Sequence, residues 1–310
     1  SFPDEEYLVG RFQCHLSLNL TAFVRMNRKQ FVHPIVTGLL SLLFVLSLSC
    51  KAKNTAVAFI SGEDKAILSA FFHQAREQRL TEMSSGQRII AIASYFMGSP
   101  YITGSLEAPG EERLQVNLRA FDCLTLVETV LALNGTIVLT SDPDSCLFIY
   151  PSVLQNIRYR NGRIQGYTSR LHYTSEWLLN GQEKGLFSLL TDLFPGEAFP
   201  LELNYMSAHP QHYPALKDNP ALTEEMATIE ARLNKASLSY IPKTQLAKYM
   251  EDIPQGSIIA ITTDRPGLDI AHIGFACRQN GRLYLLHASS SNSRVEISEQ
   301  SLLTYLNSVK

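Results

Sequence analysis

Cys123, His272 and His287 are the residues whose types and spacing could do chemistry. A cysteine attacks an acyl carbonyl once a base takes its proton, and an imidazole held by a third group is such a base. Cys123 lies in Ala120–Leu133, AFDCLTLVETVLAL. Leu124, Val127 and Leu131, with Leu126, Val130 and Leu133, form two adjoining stripes at helical spacing, which predicts a helix buried on most sides. Asp122 suits the N-cap, and Asn134-Gly135 reads as the stop. The Cys123 sulfur would then sit where unpaired N–H groups and the positive end of the helix dipole favour a thiolate. A small buried cysteine that merely begins a core helix is the competing reading, so its partners decide.

The histidines are brought together by a register argument. Asn280-Gly281 between two apolar, alternating runs is a two-residue hairpin signal that pairs Gln279 with Arg282. Gly274 then lies opposite His287 and His272 opposite Ser289, so both imidazoles share one sheet face as diagonal neighbours, about 7–8 Å apart at Cα. Gly274, having no side chain, leaves room for them to meet. With a cysteine at a helix start, the pair supplies a nucleophile, a base and an orienter.

The elements that must position these groups follow in order. Ser61-Gly-Glu-Asp64 reads as a capping box, before a helix with Ile67, Leu68, Phe71, Phe72 and Ala75 on one face. A second helix begins near Ser84-Ser85 and ends at Gly98; the turn after it presents Tyr101. Leu106–Leu118 is a charged loop. Beyond Gly135 a short strand is predicted over 136–140 and a helix over Pro151–Arg160. Arg170, Tyr173 and Trp177 gather a cation and aromatic faces suited to a cleft wall that holds sugar or peptide, or else simply to packing. Helices are predicted over Ala221–Ala236 and Lys243–Asp252. The C-terminal part alternates with period two, giving antiparallel strands over Gly256–Thr263, Ile270–Gln279, Arg282–Ser290 and Arg294–Ser298, then a short helix from Ser301. Helices first and strands last imply an α+β fold.

Composition narrows the classes. A net charge of −2 over 310 residues argues against nucleic acid as a partner. Met26-Asn-Arg-Lys and the apolar run 35–48 read as a signal peptide over 26–50, which implies export to the periplasm or envelope. Ser47-Leu-Ser-Cys50 is similar to a lipoprotein processing site, with a lipid anchor at Cys50 as one outcome and ordinary cleavage as the other. Residues 1–25 are expected to be an over-extended gene start, 51–60 a linker, and 61–310 the catalytic domain with an insert at about 136–250. Without the leader, Cys123, Cys146 and Cys277 remain, an odd set with no disulfide framework. A Cys146–Cys277 bridge and two separately buried thiols are the alternatives. His209 and His212 have no further ligand at metal spacing, so neither metal nor cofactor is expected. A monomer is expected.

Phe121-Asp-Cys123 with Leu126-Val127, preceded by Pro100-Tyr101 and followed by His272-Ile-Gly-Phe and His287-Ala-Ser, resembles the NlpC/P60 superfamily of papain-like cell-wall hydrolases. The match covers roughly 87–134 and 253–290. Leu124-Thr125 replaces the Ser-Gly that helps endopeptidase members hold a free amine. With the long span between Cys123 and His272, this looks like the DUF1460 branch of N-acetylmuramoyl-L-alanine amidases. The resemblance implies a papain-like fold and a substrate of peptidoglycan fragments or muropeptides. It also implies that Cys123 is the nucleophile, His272 the base and His287 its orienter. Tyr101 would support the oxyanion, and Asp122, Arg170, Tyr173 and Trp177 would meet substrate. An endopeptidase cutting D-glutamyl-diamino-acid bonds and a non-catalytic wall-binding protein are the alternatives.

Overall fold

The computed structural model describes residues 60–308 apart from 109 and 195. The gene-start, signal-peptide and Cys50 expectations lie outside the described residues, as does nearly all of the linker. The chain builds α1 (Gly62–Glu77), α2 (Ser85–Ser94), α3 (Cys123–Leu139), α4 (Pro143–Arg158) and α5 (Thr174–Glu183). Then come β1 (Glu197–Phe199), α6 (Tyr205–Ala208), α7 (Pro220–Leu233), β2 (Leu238–Tyr240) and α8 (Lys243–Leu246). The C-terminal part is β3 (Ile258–Thr262), β4 (Ile270–Gln279), β5 (Arg282–Ser289), β6 (Arg294–Ile297) and α9 (Leu302–Ser308). Strands β3 to β6 form one antiparallel sheet in sequence order, and β1 pairs with β2 in a separate ribbon. This is the α+β arrangement that the late strands predict.

Period-two alternation splits the large sheet between two cores. Ile273, Phe275, Cys277, Leu286, Ala288 and Val295 face the main core, where α1 to α4 pack. Ala276, Leu283 and Leu285 face the other way, onto Ile253, Leu246 of α8 and Leu302 and Leu306 of α9. The hairpin register is as predicted, Gln279 opposite Arg282 and Phe275 opposite Leu286. Asn280 and Gly281 both have positive φ, 48° and 78°, as the tight turn requires. Cys146 and Cys277 are free, buried thiols, which leaves the bridge aside.

Sequence expectations are corrected at three places. Asn134-Gly135 does not stop the helix that begins at Cys123, and 136–140 is not a strand: α3 runs on to Leu139. The Asn134 side chain is used instead to accept from Arg88 Nε of α2 at 2.7 Å. A Cβ on Gly135 would lie 3.1 Å from Val153 Cγ1, so this glycine serves the close approach of α3 and α4 rather than a turn. The next helix begins at Pro143, not Pro151, with Asp142 as its N-cap and Pro143 at the first helical position. Finally, the segment after Lys243 is helical only to Leu246 before it turns.

The region expected as an insert is divided. α4, Trp177 and Phe187 belong to the main core, whereas Tyr167, Tyr173, Leu201, Leu203 and the inner face of α7 form a smaller core of their own. The charged loop before Cys123 is tied down by Asp64 of α1, buried to 1 % exposure. Its Oδ1 accepts from Leu118 N at 2.9 Å and from Arg119 Nε at 3.2 Å.

Candidate active site

Cys123 is placed by its neighbours on both sides. Asp122 has extended backbone (φ −90°, ψ 179°) and its Oδ1 accepts from Thr125 N at 2.7 Å and Thr125 Oγ1 at 2.8 Å. Asp122 N donates back to Thr125 Oγ1 at 3.0 Å, which closes a reciprocal cap. As the first helical residue, Cys123 carries one of the amide hydrogens that the helix cannot pair internally. The Tyr101 turn is wedged between β6 and the cap. Val295 N donates to Ser99 O at 2.8 Å and Tyr101 N to Ser293 O at 2.9 Å. On the other side Phe121 N donates to Pro100 O at 3.0 Å and Ile102 N to Phe121 O at 2.9 Å. Tyr101 is thereby held beside Cys123, and burial, the Cys123 sulfur and Asp122 all push its phenol pKa up.

His272 and His287 meet as the register requires. His272 Nε2 lies 2.6 Å from His287 Nδ1, with the rings 4.8 Å apart and nearly perpendicular at 84°. His272 Nδ1 is the nitrogen left for a proton from a thiol. Ile273, next in β4, offers its N–H to the Cys123 sulfur, so β4 brings this strand against the start of α3. Tyr305 of α9 packs edge-on to His287 at 5.5 Å, and its phenol pKa is pushed up by burial, then by Glu296 and Cys123. Gly274 makes the arrangement sterically feasible, since a Cβ there would lie 2.9 Å from His287 Cβ and 2.8 Å from Leu286 O. Gly274→Ala is therefore expected to displace His287 and depress turnover by roughly 10²-fold or more. Comparing kcat with a crystal structure of the variant would check this, and an unshifted His287 would refute the steric account.

The electrostatics correct one expectation. Helix position alone predicts a thiolate, but burial pushes the Cys123 thiol up to about 11, and the Asp122 carboxylate adds to the rise. N–H groups of Ile273, Leu124 and Cys123 itself pull it down, and they lose to desolvation. Burial, and then the neighbouring His287, lower His272 to about 4. At neutral pH the site therefore rests as a neutral thiol and neutral imidazoles.

Beside Cys123 opens a cleft of about 260 Å³, lined among others by Glu107, Asp122, Thr125, Arg170, Tyr173 and Asp269. Two of the four residues expected to meet substrate are already engaged in this wall. The Arg170 Nη2 donates to Glu107 Oε1 at 2.7 Å, its Nε lies 3.1 Å from Glu112, and its guanidinium sits 5.0 Å over the Tyr167 ring. Tyr173 is buried, and its hydroxyl donates to Glu230 at 2.6 Å. Trp177 is not in the cleft. It is 1 % exposed and packs 5.3 Å from Phe187, so no sugar ring can stack on it. Its place on the inward side of α5 is the packing alternative, realised. Asp122 lines the cleft while its Oδ1 is committed to the cap. The sequence reading missed Glu107 and Asp269. Glu107 stood in a loop without periodicity, whereas Asp269 precedes a strand and takes Ser175 N at 2.7 Å and Ile270 N at 2.7 Å.

Fold and site together define an α+β protein that sets a cysteine, at the start of a buried helix, against two hydrogen-bonded histidines of an antiparallel sheet. The chain belongs to the AmiA-like family, described as N-acetylmuramoyl-L-alanine amidase-like, whose model matches residues 91–310. Among solved structures it is similar to an N-acetylmuramoyl-L-alanine amidase from Bacteroides uniformis ATCC 8492. The identity is 38 % and the TM-score 0.67, over 73 % of this chain and 94 % of that one. A Bacteroides fragilis protein provisionally named a xylanase is 38 % identical with a TM-score of 0.65, over 71 % of this chain and 95 % of that one. A Legionella pneumophila protein of the DUF1460 family is 27 % identical with a TM-score of 0.56, over 79 % and 89 %. No curated protein matches the chain.

Proposed function

We propose that this chain is a papain-like cysteine hydrolase of the NlpC/P60 kind that cleaves the amide between N-acetylmuramic acid and L-alanine. The observation that carries the reading is the 2.6 Å bond between His272 Nε2 and His287 Nδ1, which reserves His272 Nδ1 as the base for a cysteine at a helix start. His272 takes the Cys123 proton while the sulfur attacks the lactyl carbonyl. With the thiol near 11 and the imidazole near 4, the proton moves as the C–S bond forms rather than beforehand. The Cys123 N–H and the Tyr101 hydroxyl stabilise the oxyanion. Imidazolium His272 then gives its proton to the departing alanine nitrogen, leaving a muramoyl thioester. Water, deprotonated by His272, hydrolyses that thioester to a free carboxylate and restores the thiol.

One feature favours the amide over a cut within the peptide. Leu124 lines the cleft, and an acylated alanine nitrogen suits such a wall better than an ammonium does. Sugar-chain hydrolysis would require two carboxyl groups flanking a glycosidic oxygen. The cleft carboxylates are tied elsewhere, Glu128 to Arg158 at 2.7 Å and Glu107 to Arg170 at 2.7 Å. The leader-like run before Cys50 supports an envelope location, in the periplasm or lipid-anchored, and one copy of the chain supplies every group in the reaction.

Mass spectrometry of purified muropeptides incubated with the protein, beside Cys123→Ala, tests this. The expected product is peptide with a free N-terminal L-alanine, absent with the variant. A cut after D-glutamate would move the activity to the peptide bond, and product persisting with the variant would remove the cysteine mechanism.

A further inference from the structure

Glu296 lies directly opposite His287 in the β5–β6 pair, on the same face of the sheet. Directly opposed residues of an antiparallel pair have Cβ atoms about 4.5–5.5 Å apart. We infer that Glu296 is a positioning residue for the histidine pair: its carboxylate fixes His287 in the tautomer with the proton on Nε2 and balances the charge that arises when His272 is protonated. This rests on the reading of Cys123 as nucleophile and His272 as base.

The tautomers are linked by proton counting. A neutral imidazole has one N–H. For His272 Nδ1 to accept from the thiol, the His272 proton must sit on Nε2 and be donated to His287 Nδ1 across the 2.6 Å bond. His287 must then carry its own proton on Nε2. The opposite arrangement, with His287 Nδ1 donating, would place the His272 proton on Nδ1 and abolish the base. Something must favour the productive arrangement, and the negative charge of Glu296, opposed to His287 across the β5–β6 pair, does so.

The groups facing His287 come from four elements. β4 contributes His272, and α9 contributes Tyr305 at 5.5 Å between ring centroids. β6 contributes Glu296 with its bonded Arg294, and the start of α3 contributes Cys123 through its effect on Tyr305. Glu296 is the anion of this set. Its Oε1 accepts from Asn292 Nδ2 at 2.6 Å and its Oε2 from Arg294 Nε at 3.1 Å. Burial works against ionisation, but the bonds from Asn292, Arg294 and Ser289 outweigh it, so Glu296 stays below the usual carboxylate range. His287 is lowered by burial, and Glu296 opposes that shift. β6 and Ser293 just before it also carry the backbone bonds that hold the Tyr101 turn, so one segment holds both the oxyanion side and the base side of the site.

The test uses the full chain and compares wild type with Glu296→Gln and Glu296→Asp. The readouts are muropeptide turnover, the pH dependence of Cys123 alkylation by iodoacetamide followed on its peptide, and histidine ¹⁵N NMR. For Glu296→Gln we expect kcat and alkylation at neutral pH to fall roughly tenfold with KM unchanged. The acid limb should move down by about half a unit to one unit, and His287 should lose its Nε2–H signature. Glu296→Asp should restore part of each. A wild-type pH profile and His287 tautomer in Glu296→Gln would overturn the inference. If wild type cleaves no muropeptide, the amidase reading fails, while alkylation and NMR still decide the role of Glu296. Equal far-UV circular dichroism across the three proteins separates either result from misfolding.

Discussion

His272→Ala is expected to lower kcat at least ~10²-fold with little change in KM. His272 Nε2 is bonded to His287, so its Nδ1 is the nitrogen left to take the thiol proton. Without it, the thiol near 11 must ionise unaided, so the residual activity of the variant should climb with pH towards that value. The wild-type profile differs in sign at the acid end. His272 sits near 4, and kcat/KM should hold above that value and fall as the pH drops through it. Steady-state kinetics of both proteins across the pH range would check this, and a bell centred on neutral pH would mean that a resting thiolate–imidazolium pair exists after all.

Acid also acts on the fold, and the two effects must be separated. His272 near 4 and His172 near 3 are both depressed by burial below the unfolded value. The unfolded chain therefore binds protons first as pH falls. The stabilisation they give is complete above about 6.5 and is lost progressively down to about 4 for His272 and about 3 for His172. Together the loss is on the order of several kcal/mol. Circular dichroism over the same interval shows which part of the acid limb is unfolding.

The parts of this site that were legible in the chain are those set by short-range rules. Asp122 before Cys123 is a cap because its carboxylate can reach the third helical N–H, and it does. The meeting of His272 and His287 followed from one two-residue turn, because period two propagates register without error along a short hairpin. Tertiary contacts decided where those rules failed. Asn134-Gly135 looks like a stop, yet Arg88 and Val153 convert it into a helix–helix contact. Trp177 looks like a binding aromatic, yet α5 turns it into the core. The thiol pKa was misjudged for the same reason: a dipole is visible in sequence, whereas the packing that desolvates the sulfur is not. Glu296 was hidden because the turn between β5 and β6 carries no fixed-length signal like Asn-Gly.

Arg158→Met is expected to destabilise the fold by about 3–5 kcal/mol. Arg158 is 3 % exposed and Glu128, one and a half turns beyond Cys123, is 1 % exposed. Arg158 Nε donates to Glu128 at 2.7 Å and Nη1 to Gln115 O at 2.6 Å. Removing the guanidinium leaves a buried carboxylate and a buried carbonyl without their donor, which is the costly case. Burial already raises the Glu128 pKa, with Arg158 opposing it, so without Arg158 it should rise further. A raised folded pKa stabilises below the unfolded value and loses its contribution as pH rises through the folded one. The variant should therefore be least impaired in mild acid and worsen towards alkaline pH. Glu128→Leu combined with Arg158→Met removes both charges and should recover most of the loss. Urea midpoints of the three proteins at two pH values would measure this. If the double variant is as unstable as the single one, the Gln115 bond and the packing of the guanidinium stem, rather than the stranded charge, hold the floor of the cleft behind Cys123.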